Sequence, residues 1–217
     1  MALKIANSRD VPENCIQLTG EEAVSYQWNQ IINWPKRWDV WPYAYGIPTL
    51  AFIAGVSGSR VNEHYRLKLK LRRYGFSSTS LAMTLTPAIF SVASHCLFVT
   101  PDIFLNENNC ILCLQTRAAA LQLFCSIIYP AVMSPSANFM FATRHGTYPL
   151  PYWKDYKNTF KLWLTMNKTL APKMIFNIPI QIFAAGFVTY MEAKSLYTIR
   201  SKLENKENDD LPEIDIY

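Results

Sequence analysis

The sequence predicts an all-α integral membrane protein, a four-span helical bundle with an interfacial amphipathic helix, and two observations carry that fold class. The first is charge segregation. Half of the 217 residues are hydrophobic and 17% are charged, yet four windows, residues 40–59, 74–101, 118–143 and 174–191, contain no Asp, Glu, Lys or Arg. A soluble helix needs a solvated polar face every turn or two, and these windows lack a charged one. The mean hydropathy of +0.02 hides this because it averages apolar windows with charged loops. The second observation is alternation between the windows. Residues 60–73 hold six Lys or Arg against one acid, 102–117 hold two acids against one base, and 144–173 hold six basic residues against Asp155. By the charge rule for membrane loops, the two basic loops share one side, with both termini and the 102–117 turn opposite.

The segments follow as a polar N-terminal stretch (1–39), a membrane domain (40–200, spans at about 40–59, 75–100, 118–143 and 174–191) and an acidic tail (201–217). The N-terminal stretch mixes acids and bases, so it reads neither as a secretory signal nor as an Arg-rich, acid-poor transit peptide. Any organelle import signal is expected to be internal. Val24, Trp28, Ile31 and Ile32 recur at helical spacing, and Trp34, Trp38, Trp41 and Tyr43 then cluster around Pro35 and Pro42. That cluster fits either a membrane interface or a packed Trp-Pro elbow.

The first span carries Ala51, Gly55 and Ser59 at four-residue spacing, a small stripe that lets a neighbouring backbone approach. The Arg66–Arg72 alternation fits an edge strand or a short juxtamembrane helix with snorkelling side chains, and the helix is the expectation. The second span contains Pro87 and His95. No Asp, Glu or second His accompanies His95 within the span, so a hydrogen-bonded histidine is expected rather than a proton relay or a metal ligand. The third window, closed by Arg144-His145, is long enough at ~1.5 Å per residue to cross the ~30 Å hydrocarbon core. Pro130 and Pro135 break its backbone ladder, and lipid tolerates the freed carbonyls only where neighbouring helices satisfy them. In the last loop Trp153, Tyr156, Phe160, Trp163 or Leu164, Asn167 and Leu170 recur at helical spacing, with Lys154, Lys157, Lys161 and Lys168 mainly elsewhere. This reads as an interfacial amphipathic helix or a peripheral bundle helix. The tail, rich in Glu and Asp from Glu204 onward, is expected to be mostly disordered.

Few residues offer chemistry. Cys110-x-x-Cys113 at a helix start has the spacing of a redox dithiol and of half a zinc site, but no second Cys or His pair completes the latter. The readings left open are a structural or redox-sensitive disulfide and plain packing. No phosphate loop, nucleophile elbow or zinc-protease motif appears. The windows hold no acidic residue, which argues against an ion-coupled transporter. An enzyme is therefore not expected, and neither are catalytic residues, cofactors, metals or nucleic-acid partners.

The order Cys110-x-x-Cys113-x-x-Thr116-Arg117, Tyr129-Pro130, Arg144, Leu150-Pro151, Trp163 and Lys173-Met174 resembles the transmembrane protein 126 family over roughly residues 45–200. That resemblance implies a small multi-pass protein of the mitochondrial inner membrane, an assembly factor for respiratory complex I. Its expected partners are membrane-arm subunits, other assembly factors and the lipid bilayer. It would make Thr116, Arg117, Tyr129, Pro130, Arg144, Trp163 and Lys173 structural or interaction residues. The competing class is a four-helix channel or metabolite carrier, which a continuous polar stripe along a span would favour. The sequence offers isolated Ser, Thr and Asn residues and His95.

Overall fold

The computed structural model describes residues 18–105, 110–151 and 155–209. Every regular element among them is helical. Residues 1–17, Trp153, Lys154 and the tail beyond Asp209 lie outside the described residues, and so do the expectations that fall on them.

Helix α1 (Gly20–Ile32) starts at a capping box in which Thr19 and Glu22 satisfy each other's backbone donors. Its Trp28 packs edge-on against Tyr43 and Phe104, at ring separations of 5.8 and 5.5 Å. In the turn that follows, Trp34 donates its indole N–H to Asp39 at 3.1 Å and packs with Tyr43 against the core as an elbow, while Trp38 stays exposed. A π-helical turn (Pro42–Gly46) leads into α2 (Ile47–Lys68). After α3 (Phe76–Phe98) come the short α4 (Thr100–Leu105) and α5 (Ile111–Leu123). A second π-helical turn (Phe124–Ile128) joins α5 to α6 (Tyr129–His145). Helices α7 (Tyr156–Ile175) and α8 (Asn177–Asp209) complete the chain.

Helix α2 is the centre, touching α3, α6, α7 and α8, while α5 pairs with α8. It approaches α3 through glycines. A Cβ on Gly58 would lie 2.1 Å from the Met83 carbonyl oxygen, and one on Gly55 would lie 2.9 Å from that of Thr84. The small stripe expected from Ala51, Gly55 and Ser59 is thus real at Gly55, but its companion is Gly58, one helical turn on. Two apolar cores cap the ends of α2. One gathers Ile31, Tyr43, Leu50, Phe104 and Leu196, and the other Val61, Tyr65, Leu69, Met166 and Leu170.

Two stretches, Phe76–Leu105 and Ile111–His145, are long and apolar enough to cross a membrane, and a third exists if α7 and α8, bent by 50° at Phe176, count as one. The structure therefore supports two to three candidate spans where the charge-free windows suggested four. The window at 40–59 is divided by the π-helical turn, and α2 runs on through Arg60, Glu63 and Arg66 without a break. Two further expectations change. Helix α8 continues through Ser201 to Asp209, so the first half of the expected disordered tail is helical. Arg66 does not snorkel. It is buried and donates to Thr79 Oγ1 (2.8 Å), Arg72 O (2.7 Å) and Tyr74 O (3.0 Å). Those bonds hold an α2–α3 turn in which Lys70 and Arg72 take left-handed backbone angles.

Candidate functional site

His95 and Glu192 meet where α3 crosses α8. The ring Nε2 lies 2.9 Å from Glu192 Oε2, and the two side chains are 4% and 0% exposed. Tyr43 closes the same pocket by donating its hydroxyl to the Glu192 backbone carbonyl at 3.0 Å. The second carboxylate oxygen, Oε1, is buried with no hydrogen-bond partner. An imidazole and a carboxylate in contact can hold a proton between them, and the free oxygen can accept one further donor.

His95 is a hydrogen-bonded histidine with no acid in its own span, as expected, and its carboxylate partner comes from another helix. Glu192 stands one residue beyond the charge-free window 174–191, and the helix does not stop there. The signal that could have found it is periodicity. Ala185, Val188, Thr189, Glu192, Leu196 and Ile199 are all buried at three-to-four spacing, so the glutamate lies on the inward stripe of α8.

From this pair a ladder of buried polar side chains follows α2 toward the other end of the bundle. Ser91 donates to Gln122 Oε1 (2.6 Å), and Gln122 Nε2 donates to Leu50 O (3.1 Å) and Gln181 Oε1 (2.8 Å). One level on, Asn177 donates to Ser57 Oγ (2.6 Å), whose hydroxyl donates to Ser126 O (2.7 Å). Then Asn138 reaches Asn62 Oδ1 (2.9 Å), and Tyr65 donates to Asn167 Oδ1 (2.7 Å). The Ser and Asn residues of the ladder, which look isolated along each span, are brought together only by helix packing.

Helix packing also answers three of the prolines. Without its own N–H, Pro130 frees the Ser126 carbonyl one turn back, and Ser57 supplies the missing donor. Pro135 likewise frees the Ala131 carbonyl, and the Trp163 indole donates to it at 3.1 Å. Pro87 frees the Met83 carbonyl, which faces Gly58, where a glycine Cα–H points at the oxygen. So the proline side of α5–α6 is the packed side, while Phe124, Ile128, Val132 and Met140 on the other side are exposed, and the stretch borders the bundle where its prolines suggested a span internal to it.

The family-pattern residues do not converge on one site. Thr116 is exposed and donates to Leu112 O in its own helix at 2.8 Å. Arg117 pairs with Asp102, tying α5 to the α4 segment. The Tyr129 ring packs edge-on against Phe90 at 5.0 Å, Pro130 is buried, and Arg144 and Lys173 are exposed at the ends of α6 and α7. Trp163 has the proline-answering role described above. Cys110 and Cys113 are exposed and unbridged, and the Cys113 side chain hydrogen-bonded to Cys110 holds the Cys110 thiol below its ordinary value. Among the described residues no three His, Cys, Asp or Glu side chains gather closely enough to hold a metal ion.

The profile of the family described as Transmembrane protein 126 matches residues 25–209, most of the chain. This protein belongs to the transmembrane protein 126 family. It is 33% identical over 210 residues to Transmembrane protein 126 of Drosophila melanogaster, covering 96% of this chain and 94% of that one. It is 27% identical over 152 residues to Transmembrane protein 126A of Mus musculus (70% and 76%). It is 25% identical over 141 residues to the complex I assembly factor TMEM126B, mitochondrial, of Homo sapiens (64% and 58%). No solved structure matches. The matched region of this transmembrane protein 126 family member contains the His95–Glu192 pair, the ladder and all three answered prolines.

Proposed function

We propose that the protein is a multi-pass protein of the mitochondrial inner membrane that assists assembly of the membrane arm of respiratory complex I (NADH:ubiquinone oxidoreductase) by binding its unfinished subunits. The observation that carries this reading is the likeness to the human relative whose name is complex I assembly factor. The bundle's inverted polarity supports it. Polar groups are spent inside, and Leu81, Leu85, Ile89, Val132, Phe183 and Phe187 face outward as an apolar belt suited to lipid and to hydrophobic membrane subunits. The protein acts by binding and catalyses no reaction. Four spans cross the bilayer, with the apolar half of α2 shielded at the centre and α7 lying in the interface with Tyr156, Phe160 and Leu164 exposed. The basic loops face the matrix, and both termini face the intermembrane space.

The polar ladder is the one feature that favours the alternative, a channel or metabolite carrier. Its side chains bond to one another and to backbone carbonyls, which is how packing polar groups behave and not how a wet path is lined.

Cells lacking the protein are expected to stall complex I at a membrane-arm intermediate on native gels while other respiratory complexes assemble normally. Normal complex I overturns the reading. Protease added to mitoplasts should remove the acidic tail. In that orientation Cys110 and Cys113 meet an oxidising compartment and form a disulfide. Two free thiols at this pair, on non-reducing alkylation of fresh mitochondria, would instead mean a reduced pair or an inverted orientation.

A further inference from the structure

One polar cluster is left outside both the ladder and the buried pair. A cavity of about 390 Å³ opens where α7 and α8 diverge at their bend and the Arg60–Leu67 stretch of α2 crosses the gap. Its lining is divided by chemistry. Arg60, Glu63 and Lys173 bring charge, and Leu67, Leu170 and Met174 form an apolar wall. Ion pairs such as His95–Glu192, Arg117–Asp102 and Lys202–Asp39 lie elsewhere and take in none of these three charges. The inner wall is fixed. His64 is buried with its Nε2 3.3 Å from Met166 O, and the buried Asn177 is held by its bond to Ser57. Beside the bend Ile175 and Phe176 are 62% and 78% exposed, so the apolar wall continues onto the outer surface.

We infer that this cavity is a binding site for one glycerophospholipid headgroup, with Arg60 and Lys173 on the phosphate and Glu63 accepting from a donor beyond it, such as the ammonium of phosphoethanolamine. Two cations and one carboxylate at a single site complement a headgroup carrying both charges better than they complement a bare anion, which Glu63 would repel. The apolar wall argues in the same direction, since free phosphate would gain nothing from Leu67, Leu170 and Met174, whereas an acyl chain can follow them onto Ile175 and Phe176. The position agrees. Arg60 is the first charged residue after the apolar part of α2, and the boundary between chain and headgroup layers falls where charge begins.

The inference rests on the membrane-spanning reading above but not on the complex I role. Its test uses the full-length protein in nanodiscs of equal phosphatidylethanolamine and phosphatidylcholine, released into mild detergent, with retained lipid counted by native mass spectrometry. The wild type should keep one phospholipid and prefer phosphatidylethanolamine, whose ammonium can donate. R60Q/K173Q should lower the retained fraction about tenfold, while K157Q/K161Q, on the same helix but away from the cavity, should leave it unchanged. Glu63→Gln should keep the lipid and lose the preference. Equal retention by the wild type and R60Q/K173Q overturns the inference. So does the absence of retained lipid together with a Tm that inorganic phosphate raises in the wild type alone, which would mark a free-anion site. Complex I content in null cells is read separately, so the assembly role can fail while the lipid site stands.

Discussion

Helices α2 and α3 lie side by side and are of nearly equal length, yet they handle polarity in opposite ways. Helix α3, continued by α4, is apolar enough to qualify as a span, and its Leu81, Leu85, Ile89 and Leu97 face outward. Helix α2 fails that test, and it is the more deeply buried of the two, with Leu50, Ser57, Asn62, Tyr65 and Arg66 all enclosed. In water the buried helix would be the greasy one. Where the surroundings are apolar, an outward face costs nothing if it is apolar, and polar groups are stabilised only where other helices hydrogen-bond them. The comparison teaches that the polar, hydropathically weak helix is the organising one, and that Pro87 and Pro130 of its neighbours depend on it.

The largest expected effect comes from leaving a charged or polar group buried alone. Glu192→Ala strands His95 in the α3–α8 contact and should cost roughly 3 to 5 kcal/mol, whereas Glu192→Gln, which can still hydrogen-bond the ring, should cost far less. Thermal unfolding of the two variants in detergent checks this. Equal losses would mean that the negative charge itself, and not the hydrogen bond, holds the contact.

Next comes the backbone approach. Gly58→Ala puts a methyl group against the Met83 carbonyl, which cannot turn aside as a side chain could, so α2 and α3 must part at a cost of about 2 to 3 kcal/mol. Leu85→Ala on the outer face of α3 should cost little, because its removal exchanges one apolar surface for another. Steady-state abundance of the two variants in mitochondria sharpens the contrast between the helices. Comparable losses would break it.

A smaller loss is expected from the proline devices. Trp163→Phe leaves the Ala131 carbonyl without its donor, and Ser57→Ala does the same at Ser126, each costing about 1 to 2 kcal/mol. The same Ser57→Ala change in a Pro130→Ala background should cost less, since the helix then supplies its own N–H to Ser126 and only the Asn177 amide loses its acceptor. A double-mutant cycle measured by unfolding checks this coupling.

The smallest effect lies at the edge, where α8 meets the Trp34 elbow. The Lys202 ammonium hydrogen-bonded to Asp39, with the Trp34 indole as second donor, holds the Asp39 carboxyl below its ordinary value. Because the folded-state value is the lower one, this contact stabilises fully above the ordinary carboxylate range and is lost as pH falls through the depressed value. Asp39→Asn should therefore reduce Tm slightly at neutral pH and match the wild type in acid. A difference that persists in acid would mean that the carboxylate charge plays no part.

By itself the sequence determined the helical class, the two strongest apolar stretches at α3 and α5–α6, the family, and the need for Pro130 and Pro135 to be answered from outside their helix. These follow from local composition and from backbone chemistry that any neighbour must satisfy. The tertiary structure alone decided which neighbours answer. The Ser57 and Trp163 donors stand 69 and 32 positions from the carbonyls they reach. It likewise decided that Glu192, 97 positions from His95, belongs to the interior. A window defined by the absence of charge must end at the first charge, whereas a helix ends where its backbone bonds end, and α8 carries that glutamate on its inward stripe. Burial of a polar side chain is a property of the partners packed around it, and those partners are set by helix packing and not by sequence adjacency.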